Sequence, residues 1–282
     1  MLDNLTITII GPGVMAEAML KGLLNKGLTT PEHIFISGPN KERNAELQAN
    51  YGVKPFSDNC AAAVQADIVV LAIKPQRMDK VIGELKGSLK EEALILSIIA
   101  GASIQKITRL SGHKRIVRCM PNTPAQIGEG ITVWTASAYV SPEQQEMTRT
   151  LLNAFGKEIF VDEEDYLDKA TALSGTGPAY VYLFMEAMVD AGVHLGFPRR
   201  IAEELVVETL RGSVDYYANS KSEAKHLASL RNQVTSPGGT SAEALYYLEK
   251  AGFRTAISRA IWAAYQRSKE LGKDADTIPP EE

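Results

Sequence analysis

Thr6 to Leu20 reads T-I-T-I-I-G-P-G-V-M-A-E-A-M-L, and no other stretch of the chain narrows its fold as far. Ile7, Ile9 and Ile10 are β-branched and apolar, which predicts a buried strand. Gly11-Pro-Gly13-Val-Met-Ala16 follows as a tight turn, and Glu17 to Leu24 carries a helical pattern. A G-x-G-x-x-A turn set between a strand and a helix is the fingerprint of a dinucleotide site. Gly11 permits the turn, Gly13 lets backbone N–H groups approach a pyrophosphate, and Ala16 leaves room for the helix to pack on the strand. The positive end of the helix dipole then faces the anion. Without its flanking strand and helix the glycine turn would be a weak signal.

Strand patterns recur at Ile34–Ser37, Asp67–Ile73, Leu94–Ile99 and Arg115–Met120, and Gly130–Ala136 and Lys157–Val161 look like closing strands. Helices are predicted over Lys41–Tyr51, from a Ser57-Asp58-Asn59 cap through Ala66, and over Pro142–Ala154. Continuous apolar strands alternating with helices predict an α/β, Rossmann-like domain over residues 1–162. Three strands exit into small or polar loops, Lys74-Pro75-Gln76, Ala100-Gly101-Ala102-Ser103 and Pro121-Asn122-Thr123-Pro124, the profile of a cofactor cleft. The second strand ends Ser37-Gly-Pro-Asn40-Lys41-Glu42-Arg43. NAD sites usually place an acid at this tip for the ribose 2′-OH; here there is none, and Glu42 comes too late. NADP is expected in preference to NAD, although Lys41 and Arg43 also fit a role as solvating residues of the next helix.

After Asp162 the pattern changes to an all-α domain over residues 163–282. Helical spacing predicts helices at about 166–173, 178–195, 199–219, 222–232, 241–250 and 254–271. Breaks are expected at Ser174-Gly-Thr-Gly-Pro178, Gly196-Phe-Pro198 and Ser236-Pro-Gly-Gly239, and a frayed tail at Thr277–Glu282. Two domains suit a chain of 282 residues.

A formal charge of −4 offers no general basic surface for nucleic acid. The N-terminus lacks the pattern of a signal peptide, and no apolar run is long enough to span a bilayer. Cys60 and Cys119 form no C-x-x-C, so a cytoplasmic location with reduced thiols is expected. His33, His113, His194 and His226 have no metal-ligand spacing; no metal site is expected, and each reads as a surface or packing residue.

Two stretches of the helical half carry candidate chemistry. Ser174-Gly-Thr-Gly-Pro-Ala-Tyr180 mixes small and hydroxyl residues just before a helix. In dehydrogenases of this two-domain plan such a turn faces the nicotinamide, and the 3-hydroxyacid dehydrogenases follow it with a catalytic Lys. Here Tyr180-Val-Tyr-Leu183 follows, with no Lys. That argues against alcohol oxidation, which needs a base for the hydroxyl proton. An imine nitrogen can arrive protonated, so hydride alone completes its reduction. Val234-Thr-Ser-Pro-Gly-Gly-Thr-Ser241 exposes successive N–H groups at a helix start, with Ser236, Thr240 and Ser241 adding hydroxyls. This fits a carboxylate nest, and it fits equally a plain helix cap by Thr240 or Ser241.

Glu186 and Asp190 read as a solvated acidic edge rather than a catalytic pair. Glu163, Glu164 and Asp165 could cap the next helix, and one of them could reach a substrate nitrogen. Tyr246 and Tyr247 read as packing residues. Ser174 lacks the companions of a catalytic nucleophile.

Together G-P-G-V-M-A, A-I-K-P-Q, R-C-M-P-N-T-P, L-S-G-T-G-P-A-Y and V-T-S-P-G-G-T-S-A-E-A-L span nearly the whole chain, which resembles the pyrroline-5-carboxylate reductases. That family reduces 1-pyrroline-5-carboxylate to L-proline with NAD(P)H, the last step of proline synthesis. The resemblance implies that Gly11, Gly13, Val14 and Met15 cradle the pyrophosphate, and that Ser37 binds at the adenosine 2′ end. It places Asn59 and the Ala72-Ile-Lys74-Pro75 loop along the adenosine and ribose groove, and Ala100 and Gly101 near the nicotinamide. NADPH is the implied cofactor, with NADH as the alternative.

The substrate carboxylate would lie on the N–H groups of Gly239 and Thr240, beside Ser236 and Gly238. Ser241, with Thr240, would act at the ring nitrogen. Ser241 stands where the family usually has Thr, which keeps the hydroxyl and loses a packing methyl. Glu164 is placed like a family residue that approaches the substrate, with Glu163 an alternative register. No role falls to Gln233. The resemblance also implies a homodimer through the C-terminal helices, within larger rings in some members, the substrate loop of one chain completing its neighbour's site. Apolar helices alone would equally suit a monomer's core. Rival readings are a reductase of the six-membered cyclic imine and a non-catalytic NADP-binding scaffold or sensor.

Overall fold

The computed structural model describes Leu2, residues 4–219 and residues 226–273. Eight strands form one sheet among these residues: β1 (Ile7–Ile10), β2 (Ile34–Ser37), β3 (Lys54–Phe56), β4 (Ile68–Leu71), β5 (Leu94–Ser97), β6 (Ile116–Met120), β7 (Gly130–Ala136) and β8 (Gly156–Phe160). Their order is β3-β2-β1-β4-β5-β6-β7-β8. The first six run parallel, β7 turns antiparallel to β6, and β8 is parallel to β7. Strand order reverses between β1 and β4, so the carboxyl ends of these strands flank the crevice where such sheets bind ligands.

The first unit carries α1 (Val14–Asn25), α2 (Lys41–Tyr51), α3 (Asn59–Ala63), α4 (Met78–Glu84), α5 (Ile104–Ser111), α6 (Pro142–Leu152) and α7 (Asp165–Ala170). Every residue of β1, β2, β4 and β5 is buried, because helices cover both faces of the sheet. Successive side chains point to opposite faces, so Ile7 and Ile9 join Met19, Leu20, Trp134 and Phe155, whereas Ile10 joins Val69, Met78, Ile82 and Ile107. Buried Thr8 between them donates its hydroxyl to the Ala62 carbonyl at 2.9 Å. After α7 come α8 (Gly177–His194), α9 (Arg199–Asn219), α10 (Leu227–Gln233), α11 (Thr240–Lys250) and α12 (Phe253–Gly272). No helix among the described residues is long and apolar enough to cross a membrane.

Several boundaries differ from the sequence reading, each for a local reason. α1 begins at Val14, immediately after Gly13, so Val14 to Ala16 belong to the helix rather than to the turn. β3 was missed because Lys54-Pro55-Phe56 is too short and too polar to show a pattern, and its proline is tolerated only because the strand lies at the sheet edge. α4 and α5 were missed behind the strands they follow, although Ser103 caps α5 by accepting from Lys106 N. The helix capped by Asp58 closes at Ala63, short of Ala66. The first residues of the helix expected over 222–232, and the tail at Thr277–Glu282, lie outside the described residues.

The break expected at Ser174–Pro178 shrinks to a bend at Thr176. Thr171–Gly175 is a π-helical turn that carries α7 into α8, with Thr176 N donating to Thr171 O at 2.8 Å. Its hydroxyls fold back onto helix carbonyls: Thr171 on Leu167, Ser174 on Ala170 and Thr176 on Thr171. These bonds hold helical a stretch whose glycines and proline would otherwise interrupt it.

The chain divides by contacts into two compact units, residues up to Pro178 with Ala263 onward, and Ala179–Trp262. The first of these units includes α7 because that helix packs on β6 and β7.

Candidate active site

The glycine turn is held at the carboxyl edge of the sheet by its own backbone. Gly11 N donates to Ser37 O at 2.8 Å, Gly13 N to Gly11 O at 2.7 Å, and Ala72 N to Ile10 O at 2.9 Å. Gly11, Ser37 and Ala72 are thereby brought together at the tips of β1, β2 and β4. Gly11 has φ +88°, and a Cβ there would stand 2.7 Å from Ile73 Cγ2, so the fold itself requires this glycine. Gly13 is different. Its φ is −83°, and the atom nearest to a Cβ there would be Gly11 O, 4.0 Å away. Nothing within the chain requires that glycine; the free space above it fits the close approach of a pyrophosphate. Gly13 also precedes α1 with no side-chain cap, which leaves the N–H groups around Val14 and Met15 facing out. The residues present therefore suit a dinucleotide.

Ser37 is buried and donates its hydroxyl to Asn59 Oδ1 at 2.7 Å, which joins two of the expected cofactor residues. Asn40 caps α2. Arg43 is not a solvating residue: its Nε donates to Pro12 O at 3.3 Å and its guanidinium pairs with Glu46 and Glu17. Tyr51 Oη also donates to Glu17, at 2.8 Å. Burial alone would raise the Glu17 carboxyl, but hydrogen bonds from Arg43 and Tyr51 outweigh it and hold the group below its usual range. Arg43 thus fastens the glycine turn to α2. Lys41 instead lines a cavity of about 380 Å³ with Gly38, Pro39, Asn44, Phe56 and Ser57 at the tip of β2. Lys74 and Pro75 open a short 3₁₀ turn after β4, Lys74 exposed.

Ala100 and Gly101 follow β5 at the same edge. Gly101 is buried with φ +73°, and a Cβ there would stand 2.7 Å from the Ser268 carbonyl of α12. Its absence of a side chain serves that close packing.

In the second unit the Ser236–Ser241 stretch leads into α11 without a side-chain cap. The cap of α11 is Gly239, with no side-chain hydrogen bond, so neither Thr240 nor Ser241 caps the helix. Gly239 N donates to Ser236 O at 3.0 Å, and a Gly239 Cβ would lie 2.6 Å from Ser236 Oγ. Gly238, at φ +69°, turns the chain. The result is an exposed helix N-terminus with Ser236, Thr240 and Ser241 hydroxyls around it, a shape suited to a carboxylate. Asp190 pairs with Arg199 at 2.8 Å, both side chains exposed. Tyr246 and Tyr247 are exposed in the chain and pack edge-on against each other, rather than into a core.

Glu164 has a partner that the sequence reading missed. It occupies the N-cap position of α7 without a side-chain cap bond; its Oε1 accepts from Ile104 N, the first residue of α5, at 2.8 Å, and from Arg118 Nη1 at 3.0 Å. Glu163 is exposed. Arg118 lies on β6 with only 3% of its side chain exposed, and its other Nη meets Asp168 Oδ1 at 3.0 Å. The signal was present: a lone arginine within the otherwise apolar I-V-R-C-M strand.

A doubly wound sheet with an open glycine turn, followed by a helical unit that presents an uncapped N-terminus, defines a nicotinamide-dinucleotide-linked oxidoreductase. The chain is 41% identical to the pyrroline-5-carboxylate reductase of Synechocystis over 96% of its length and 99% of that protein, and 39% identical to that of Pseudomonas aeruginosa over 95% and 97%. It belongs to the pyrroline-5-carboxylate reductase family, the oxidoreductases of proline biosynthesis. Residues 164–271 match the family model for pyrroline-5-carboxylate reductase dimerisation, and residues 6–101 match that for coenzyme F420-dependent NADP oxidoreductase. The crystal structure of Plasmodium falciparum pyrroline carboxylate reductase with NADP bound superposes with a TM-score of 0.88 at 34% identity, covering 96% of this chain and 99% of that one.

Proposed function

We propose that this chain reduces 1-pyrroline-5-carboxylate to L-proline with NADPH, NADH serving as the lesser donor. The observation that carries this reading is the glycine-built, uncapped start of α11, which leaves N–H donors for a carboxylate on a chain that also has an open dinucleotide turn. The family membership and the NADP of the Plasmodium relative support it.

In this reading Gly11, Gly13, Val14 and Met15 hold the pyrophosphate on the N-terminus of α1. Ser37 and Asn59, hydrogen-bonded to each other, shape the adenosine 2′ end, and Lys41 faces the 2′-phosphate from the cavity beside them. Ala72, Lys74 and Pro75 border the ribose, and Ala100 and Gly101 the nicotinamide. NADPH, when bound, supplies a hydride for the C=N carbon. Gly239 and Thr240 N–H groups, with Ser236 and Gly238, hold the substrate carboxylate, and the Ser241 hydroxyl orients the ring nitrogen. The iminium arrives protonated, so these groups act by orientation and charge complementarity without an obligatory base.

We keep the functional boundary at residues 162 and 163, supported by the dimerisation match that starts at residue 164. Assembly of dimers into a ring, and a cytoplasmic location in keeping with two free thiols, belong to the same reading. The test is the loss of NADPH absorbance on adding 1-pyrroline-5-carboxylate, run in parallel with NADH and with the six-membered imine. Oxidation of NADPH by the five-membered imine is expected; no oxidation with either imine would overturn the proposal.

A further inference from the structure

Where β6, α7, the start of α5 and the end of α12 meet lies a charged cluster centred on buried Arg118. Arg118 sends one arm to Glu164 and the other to Asp168, both at 3.0 Å. Asp168 Oδ1 also accepts from Ser268 Oγ at 2.6 Å, and Ser268 is 2% exposed. Glu164 Oε1 accepts from Ile104 N at 2.8 Å. The cluster therefore grips the β5–α5 loop at two points. Glu164 holds the first N–H of α5, and the Ser268 carbonyl packs where a Cβ of Gly101 would stand, at 2.7 Å. A guanidinium this deeply buried is costly without its carboxylates, and its Nε is left with no partner. Such an arrangement suits a group kept for where it puts its neighbours.

We propose that Arg118 is a positioning residue: through Glu164 and through Asp168–Ser268 it sets the Ala100–Ile104 loop in the conformation that receives the nicotinamide side of the cofactor. This rests on the reading of Ala100 and Gly101 as part of the cofactor groove. Arg118 touches neither cofactor nor substrate. Its loss frees Glu164 from the N-terminus of α5 and leaves the Asp168–Ser268 pair without its cation, so the loop samples other conformations. The carboxylate nest on α11 is formed from its own residues and is untouched.

The test compares Arg118→Met, Arg118→Lys and Ser268→Ala with the wild-type protein by NADPH fluorescence titration, steady-state kinetics, and amide hydrogen exchange over residues 98–106. Arg118→Met is expected to weaken NADPH binding and lower kcat by about tenfold to a hundredfold, the scale of a small misplacement, with KM for 1-pyrroline-5-carboxylate unchanged. Arg118→Lys keeps the charge but cannot span both carboxylates, and it should recover part of the loss. Ser268→Ala should weaken NADPH binding roughly threefold to tenfold, the net worth of one typical hydrogen bond. Exchange over residues 98–106 should quicken in all three. If Arg118→Met does not fold, the other two carry the test. Wild-type NADPH affinity and wild-type exchange in Ser268→Ala and Arg118→Lys would overturn the proposal, as would equal losses for cofactor and imine. Failure of the wild-type protein itself to bind NADPH would overturn the underlying cofactor reading instead, and this inference with it.

Discussion

Gly11 and Gly13 are two residues apart, yet one serves the fold and the other serves the ligand. Gly11→Ala forces a side chain into φ +88° and against Ile73, so its thermal transition should fall markedly. Gly13→Ala meets no such obstacle, since φ is −83° and the nearest atom to the new Cβ is 4.0 Å away. Its stability should change by about 1 kcal/mol or less. NADPH affinity should nevertheless fall about tenfold or more, equivalent to ~1.4 kcal/mol, because the methyl occupies the approach of the pyrophosphate. Calorimetry and fluorescence titration on the two variants separate the roles; equal loss of stability in both would refute the distinction. At the other site, Ser241→Ala removes a hydroxyl but leaves the glycine-capped backbone of α11 unchanged. It should lower kcat/KM for the imine by roughly tenfold, the loss of one oriented hydrogen bond, while NADPH binding stays as it was. Unchanged kcat/KM would remove Ser241 from the mechanism.

Between elements, the brace from Glu17 on α1 to Arg43 and Tyr51 on α2 fixes how the glycine turn meets the second strand. The folded Glu17 carboxyl lies below its ordinary value, so the brace contributes stability that is fully present above the unfolded pKa and is lost as pH falls through the folded one. Acid titration of thermal stability should therefore be shallower in Glu17→Gln than in the wild-type protein over the carboxylate range. Identical slopes would show that the brace carries no linked stability. This brace was illegible in the sequence, where Arg43 looked like a helix-surface cation, because Glu17 lies 26 residues before it. Arg118 escaped in the same way, as its carboxylates arrive 46 and 50 residues later. The strands β1, β2, β4 and β5 were legible because burial on both faces demands unbroken apolar runs. Local pattern cannot report β3, whose position comes from its neighbour, or the π turn at Thr171–Gly175, whose hydroxyls overrule its glycines. The dinucleotide turn and the α11 nest were readable since each is written in consecutive residues.

Across the whole molecule, the unit Ala179–Trp262 is short of interior. Its buried apolar cluster among the described residues consists of Val189, Ala202 and Val206. In contrast Val181, Tyr182, Leu183, Leu205, Val214 and Trp262 are each exposed by half or nearly so, or by more. Apolar surface on that scale marks an interface, and the matched dimerisation model covers the same helices. On α9, Leu205 lies with Ile201 in a hollow bordered by Glu204 and Glu208. Covering a leucine is worth about 1.5–3 kcal/mol, and a twofold axis counts it twice. Leu205→Glu removes that gain and adds a third carboxylate beside two others, so dimer affinity should fall by ~100-fold or more. Sedimentation equilibrium at micromolar concentration should then show monomer where the wild-type protein shows dimers or larger assemblies. Because the copies stabilise one another by mass action, the wild-type thermal midpoint should rise with protein concentration and that of Leu205→Glu should start lower. A Leu205→Glu protein that sediments as the wild type does would place the interface on another face of these helices.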